Sequence, residues 1–338
     1  MHAGEKETVS PIKAKARRKT QMKKIVSIVL SVLMLAAVFT TSACNKQEKA
    51  QDTDIRIAAL KGPTGMGMVK LIGDEYPHYK VSIEASPDAL APRFISGDVD
   101  VAAVPINLAS TLYNKLNGDV VVLGVATLGV LYILEDGSEI NSFADLGGKK
   151  LYATGQGATP EYILNYLMQK NNVTAEIEYV GEHAALATMM AAGEAKIGML
   201  PQPNVTAAMN QSDKLRIALD LTEEWNKVSD AQLVQGVVIA RKAFVEANKA
   251  AVETFIKDYE ASTKFVNEKV EEAAKLIAEA EILPQEGLAK KAIPSCNIKF
   301  IGGADMKKAV SGMLGVLFEA NPQSIGGKLP ADDFYFGA

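Results

Sequence analysis

The sequence predicts an α/β protein of two lobes, each an open, mostly parallel sheet flanked by helices. Short apolar runs of strand length alternate with helix-length segments from Asp54 onward. Several of these runs, Val120–Leu128 above all, are apolar without alternation, which suits strands covered on both faces of a parallel sheet. The alternation stops at the turn-rich Glu135-Asp136-Gly137-Ser138 and then begins again, which gives the second lobe.

The chain opens on a leader pattern. Met22-Lys23-Lys24 precedes the apolar run Ile25–Phe39, and Thr41-Ser42-Ala43 precedes Cys44. A cationic start, an apolar run shorter than a membrane span and small residues before a cut describe a secretory signal peptide over residues 1–43. Small residues followed directly by cysteine resemble a bacterial lipobox, although Thr41 stands where leucine is usual. The resemblance implies that Cys44 becomes the lipidated N-terminus, with an uncleaved anchor as the alternative. Residues 1–21 add basic charge and no recognisable element, as a start-site extension would. Residues 44–53 then read as a polar tether.

The first lobe is expected from residues 54–136 and 234–338, the second from residues 137–233. Strands are expected at Ile55–Leu60, Val81–Ala85, Val99–Val104, Val120–Leu128 and Leu131–Leu134, with helices at Asp88–Ser96 and Leu108–Leu116. The second set places strands at Lys150–Ala153, Ile177–Val180, Ile197–Leu200 and Leu215–Leu219. Helices at Pro160–Gln169, His183–Ala192 and Asn204–Asn210 separate them. Val234–Ala240 is strand-like again. From Lys249 to about Glu281 the apolar positions keep a helical spacing with a break near Asn267, and helices follow at Glu286–Ala292 and Asp305–Phe318.

Composition excludes several function classes. Eight of the 36 basic and two of the 40 acidic residues precede Cys44, which leaves the mature part a net charge of −10. That balance disfavours nucleic acid and polybasic lipid binding. Cys296 is the one cysteine after Cys44, so no internal disulfide forms, and it reads as a small buried hydrophobe. His2, His78 and His183 lack metal-ligand spacing, so neither metal nor cofactor is expected. No Gly-X-Ser-X-Gly, Walker or complete dinucleotide pattern appears, and no catalytic residue is assigned.

In open α/β sheets the loops leaving the strand C-termini carry the ligand. The candidates are Gly62, Thr64, Gly65 and Met66 after the first strand, Ser86 after the second, Asn107 after the third and Thr127 at the end of the fourth. The second lobe offers Gly157, Ala158 and Thr159, then Gln202. Glycine admits close backbone approach, and helix N-termini present free N–H groups. For Thr64 and Thr159, helix capping is the competing account. Tyr132 and Trp225, the only tryptophan, are possible stacking faces, with hinge packing the alternative for Trp225. Glu182-His183 reads as a helix cap followed by a surface histidine. Arg56, Arg93, Arg216 and Arg241 are the only arginines after the leader, and none occupies such a loop. This disfavours a bidentate carboxylate clamp and leaves a neutral or planar solute, or a small anion held by N–H groups and hydroxyls.

Ile55–Gly67 (IRIAALKGPTGMG), Phe94–Val104 (FISGDVDVAAV), Ser142–Tyr152 (SFADLGGKKLY) and Val237–Phe244 (VVIARKAF) form an ordered set with the leader. Together they resemble the solute-binding lipoproteins of ABC transporters, in the SsuA-like branch for nitrate, sulfonates, taurine and thiamine precursors. The resemblance implies a type II periplasmic-binding-protein fold, a monomer, closure around one small-molecule solute and delivery to an ABC transporter permease at the cell membrane. It implies no enzyme activity. A ligand-sensing lipoprotein is one alternative and an enzyme of the same fold another.

Overall fold

Eleven strands, in two sheets, organise the computed structural model, which describes residues 53–338. The leader, Cys44 and the tether as far as residue 52 lie outside the described residues.

The first sheet contains β1 (Ile55–Leu60), β2 (Tyr79–Glu84), β3 (Val101–Pro105), β4 (Val121–Leu128), β10 (Val234–Ala240) and β11 (Ile298–Ile301), in the order β11-β4-β10-β3-β1-β2. The second contains β5 (Leu131–Asp136), β6 (Lys150–Ala153), β7 (Glu176–Tyr179), β8 (Ile197–Pro201) and β9 (Leu215–Asp220), in the order β7-β6-β8-β5-β9. β1 runs parallel to β2 and β3, and β6 runs parallel to β7 and β8. In the first sheet β10 and β11 run against the other four strands, and in the second β5 runs against the rest. β10 lies antiparallel between β3 and β4, and β5 lies antiparallel between β8 and β9.

The place of β5 corrects the expected division at residue 136. Leu131–Asp136 belongs to the second sheet, with Ile133 opposite Met199 and Leu219, so the chain crosses at Gly129-Val130. The Gly137-Ser138 turn is a hairpin-like exit inside the second lobe, not a lobe boundary. The reason is burial. Leu131 to Leu134 are apolar and buried throughout, as a central strand requires, and the turn residues merely follow it.

The elements follow from local chemistry. Ser86 caps the helix Pro87–Ser96 by accepting the Ala89 N–H, and Gly97 ends it in the left-handed conformation. The helix Thr159–Asn171 opens on Thr159-Pro160 and closes on Asn172 at φ 54°. The long amphipathic segment breaks at Lys269 into helices Lys249–Glu268 and Val270–Glu279, beside the break expected at Asn267. A strand at Ile298–Ile301 and a helix at Lys242–Ala247 were not anticipated; both are too short to show a period.

One apolar cluster runs from Ala58, Val104 and Ile239 of the first sheet to Ile133, Leu151 and Met199 of the second, so a continuous core joins the lobes. The other face of the first sheet packs on Phe255 and Tyr259 of the long helix. The arginines stabilise this frame. Arg56 forks onto Asp100, Arg93 holds Glu84 and Ser82, Arg216 reaches Glu135 and the Ile140 carbonyl, and Arg241 joins Asp119 to the Phe94 carbonyl.

Candidate functional site

The two lobes meet at the C-terminal ends of their strands. Asn107 sits in the first turn of the helix Ile106–Lys115, directly after β3, and Thr159 opens the helix after β6. The Thr159 hydroxyl donates to Asn107 Oδ1 at 2.8 Å, with both residues buried. This contact joins the two lobes. Neither helix has a side-chain cap, so the first N–H groups of both lack a side-chain partner at the cap position.

Other groups gather nearby. A Cβ on Gly62 would lie 3.8 Å from Pro203 Cδ of the opposite lobe. A Cβ on Gly236 would lie 2.5 Å from Thr127 Oγ1 and 3.0 Å from Thr64 Cγ2, which places those two threonines together on the first-lobe side. Thr127 is almost wholly buried as a residue, and its hydroxyl makes no hydrogen bond among the described residues. Gln202 is equally buried. Its Oε1 accepts from the Thr206 N–H and hydroxyl, capping the helix Asn204–Gln211, and its backbone N–H donates to the Val130 carbonyl. No charged side chain belongs to this ring.

Sequence reading assigned other residues here that the structure places elsewhere. Met66 is fully buried in a core cluster with Val69, Ala273 and Ile277. Gly65 faces its own lobe, where a Cβ would lie 2.6 Å from the Leu60 carbonyl. Ser86 is a helix cap on the outermost strand of the first sheet. Trp225 is fully buried, donates to the Ala231 carbonyl at 2.6 Å and packs on Tyr166 at 4.8 Å. It offers no stacking face and serves the second crossover. Neither threonine is a cap, since Thr64 donates to the Leu60 carbonyl and Thr159 to Asn107.

Gly157 is exposed and spends its N–H on Glu161 Oε2, while Ala158 is the N-cap position of its helix. Tyr132 is mostly buried, and burial foremost pushes its phenol up to about 12; its hydroxyl approaches the Ser295 carbonyl at 3.4 Å. His183 is not a surface residue. Its Nδ1 lies 2.6 Å from the buried Thr154 hydroxyl, and burial holds the ring below the ordinary histidine range against the opposing pull of Glu182. Cys296 is buried as expected, and burial pushes its thiol up to about 12.

Thr154, Gln235 and Asn297 were not anticipated here. Gln235 alone had a signal, a polar residue inside the apolar run VQGVVIA. A groove of about 930 Å³ lies apart from this ring, between Asp230–Gln232, Lys299–Gly302 and the helix Gly303–Ala320. Among the described residues no helix is long and apolar enough to cross a membrane, and no cluster of metal-ligating side chains occurs.

Solved structures with this fold include an ABC transporter protein from Parabacteroides distasonis, 23% identical over 84% of this chain and 99% of that one, with a TM-score of 0.71. The aliphatic sulphonate binding protein SsuA from Escherichia coli is 18% identical over 81% and 96%, with a TM-score of 0.65. The ligand-binding component of an ABC-type import system from Staphylococcus aureus, with zinc bound, is 15% identical over 84% and 96%, at 0.64. They share the type II periplasmic-binding-protein architecture, which is the fold of this chain. No curated protein matches the sequence. The family model described as Menaquinone biosynthesis matches residues 66–293, and the chain belongs to that family.

Proposed function

We propose that this protein is an extracytoplasmic solute-binding protein that captures a small organic solute or anion between its lobes and passes it to an ABC permease. The observation that carries this reading is the buried Thr159–Asn107 hydrogen bond, made between the strand ends of opposite lobes. A cleft that shuts on this bond is stabilised by it, and a solute held beside the two side chains adds its own contacts to the same closed state. The solute then stabilises the closed state by its differential affinity for it. The ring contains amides, hydroxyls and two uncapped helix N-termini, and the four arginines of the described residues are engaged elsewhere. Such a lining favours a solute rich in acceptor oxygens, held without a guanidinium clamp.

The lipobox-like Cys44 supports anchoring at the membrane, and the fold shared with import components supports the permease as partner. The same evidence accommodates a sensing lipoprotein, which would bind without transport.

A second reading, an enzyme working in the same cleft, is favoured by one observation, the Menaquinone biosynthesis family match. Titration of a solute panel with product analysis separates the two. Binding of a solute recovered unchanged supports capture, and conversion supports catalysis.

A further inference from the structure

The first crossover, Leu128 to Leu131, is held from three directions, by two side chains and one backbone N–H. The Gly129 carbonyl accepts from Asn297 Nδ2 at 2.6 Å, the Val130 N–H donates to Gln235 Oε1 at 2.8 Å, and the Val130 carbonyl accepts from the Gln202 N–H at 2.9 Å. Gln235 and Gln202 lie beside the two sheets the crossover connects. Asn297 comes from neither crossover. It belongs to the C-terminal segment, adopts φ 45°, and its own carbonyl accepts the Leu128 N–H at 3.1 Å. Asn297 thus grips the crossover by both its backbone and its side chain at the last residues of the first lobe.

Toward its N-terminal side the same segment touches the second lobe. The Ser295 carbonyl meets the Tyr132 hydroxyl at 3.4 Å. Lys291, on the helix Glu286–Ala292, donates to Asn210 Oδ1 at 2.7 Å on the helix Asn204–Gln211. Rotation of the lobes about Gly129-Val130 would separate these outer contacts first, because they lie farther from the crossover along the segment. The Asn297 bonds lie nearest the axis and are strained last, so they too favour the closed state.

We propose that Asn297 is the pivot of cleft opening, a third hinge element beside the two crossovers, and that Lys291–Asn210 is a latch broken when the cleft opens. This rests on the binding-and-closure reading above, but it concerns the motion and not the solute. Asn297 acts through the crossover and is a positioning residue.

Hydrogen–deuterium exchange of the full chain without added solute tests it. Asn297→Gly keeps the left-handed backbone accessible and removes the donor; Asn297→Asp keeps the size and removes the donor. Both are expected to raise exchange at least threefold in residues 104–112 and 155–164, which line the closed cleft. The strands Ile57–Leu60 and Val101–Ala103 should stay at the wild-type rate. Lys291→Ala should raise exchange at 204–211 and 286–292 while residues 128–131 remain protected. Wild-type exchange in the cleft of both Asn297 variants, or a uniform rise across the first lobe, would overturn the proposal. A solute panel without a hit would leave this exchange pattern standing and count only against the binding reading.

Discussion

Asn107 and Thr159 lie 52 positions apart in sequence and on opposite lobes, yet the Thr159 hydroxyl donates to Asn107 Oδ1 at 2.8 Å out of contact with water. Each side chain stands at the start of a helix that directly follows a strand of its own sheet. The bond therefore ties the strand ends of one lobe to those of the other.

Thr159→Val conserves shape and removes the donor, leaving the Asn107 amide oxygen without its partner. Loss of a neutral hydrogen bond of this kind costs about 1 kcal/mol, or about fivefold in the closed-to-open ratio. Solute dissociation constants from isothermal titration should rise by that factor for Thr159→Val and for Asn107→Ala, and by less than the product in the double variant.

Gly129→Ala drives a methyl into Thr222 Oγ1 and to 2.7 Å from Leu233 Cδ2, at the first crossover. Overpacking of this kind costs about 1–3 kcal/mol. Urea unfolding should register the loss, and adding Thr222→Ala should recover part of it.

Trp225→Phe removes the indole donor to the Ala231 carbonyl and some of the packing on Tyr166. A destabilisation of about 1–3 kcal/mol is expected. Solute affinity should stay within about twofold, since the ring does not face the cleft. The emission of this single tryptophan should be that of a buried indole and should not quench on binding.

Burial lowers the pKa of His183 from its ordinary 6.5, so the unfolded chain takes up a proton at a higher pH than the folded one does. Stability is complete above about 6.5 and declines as the pH falls below it, levelling off once the folded ring also protonates. Thermal midpoints measured from pH 8 to pH 5 should fall for the wild type and fall less for His183→Gln.

Much of the fold was legible because it is written in runs. Lys150–Ala153, Val234–Ala240 and Glu286–Ala292 begin and end in the structure where their apolar patterns do. The swap of β5 into the second sheet was not legible, because strand pairing is set by tertiary partners that composition does not reveal. At the site, strand-end position alone brought Asn107 and Thr159 forward. Met66 and Trp225 were misplaced for one reason: a large apolar side chain near a loop looks the same in sequence whether it turns outward to a solute or inward to the core. Asn297 gave no sign at all, since its role depends on where the C-terminal segment docks.

Thermal unfolding of the wild type and Thr159→Val, scanned against sulfonates, nitrate, thiamine pyrimidines, nucleosides and amino acids, tests the central claim most directly. A cognate solute at about 1,000 times its dissociation constant stabilises the native state by about 4 kcal/mol. The account predicts one saturable solute, recovered unchanged, with a smaller shift in Thr159→Val at equal concentration. Equal shifts in both proteins, or chemical conversion of the solute, would contradict it.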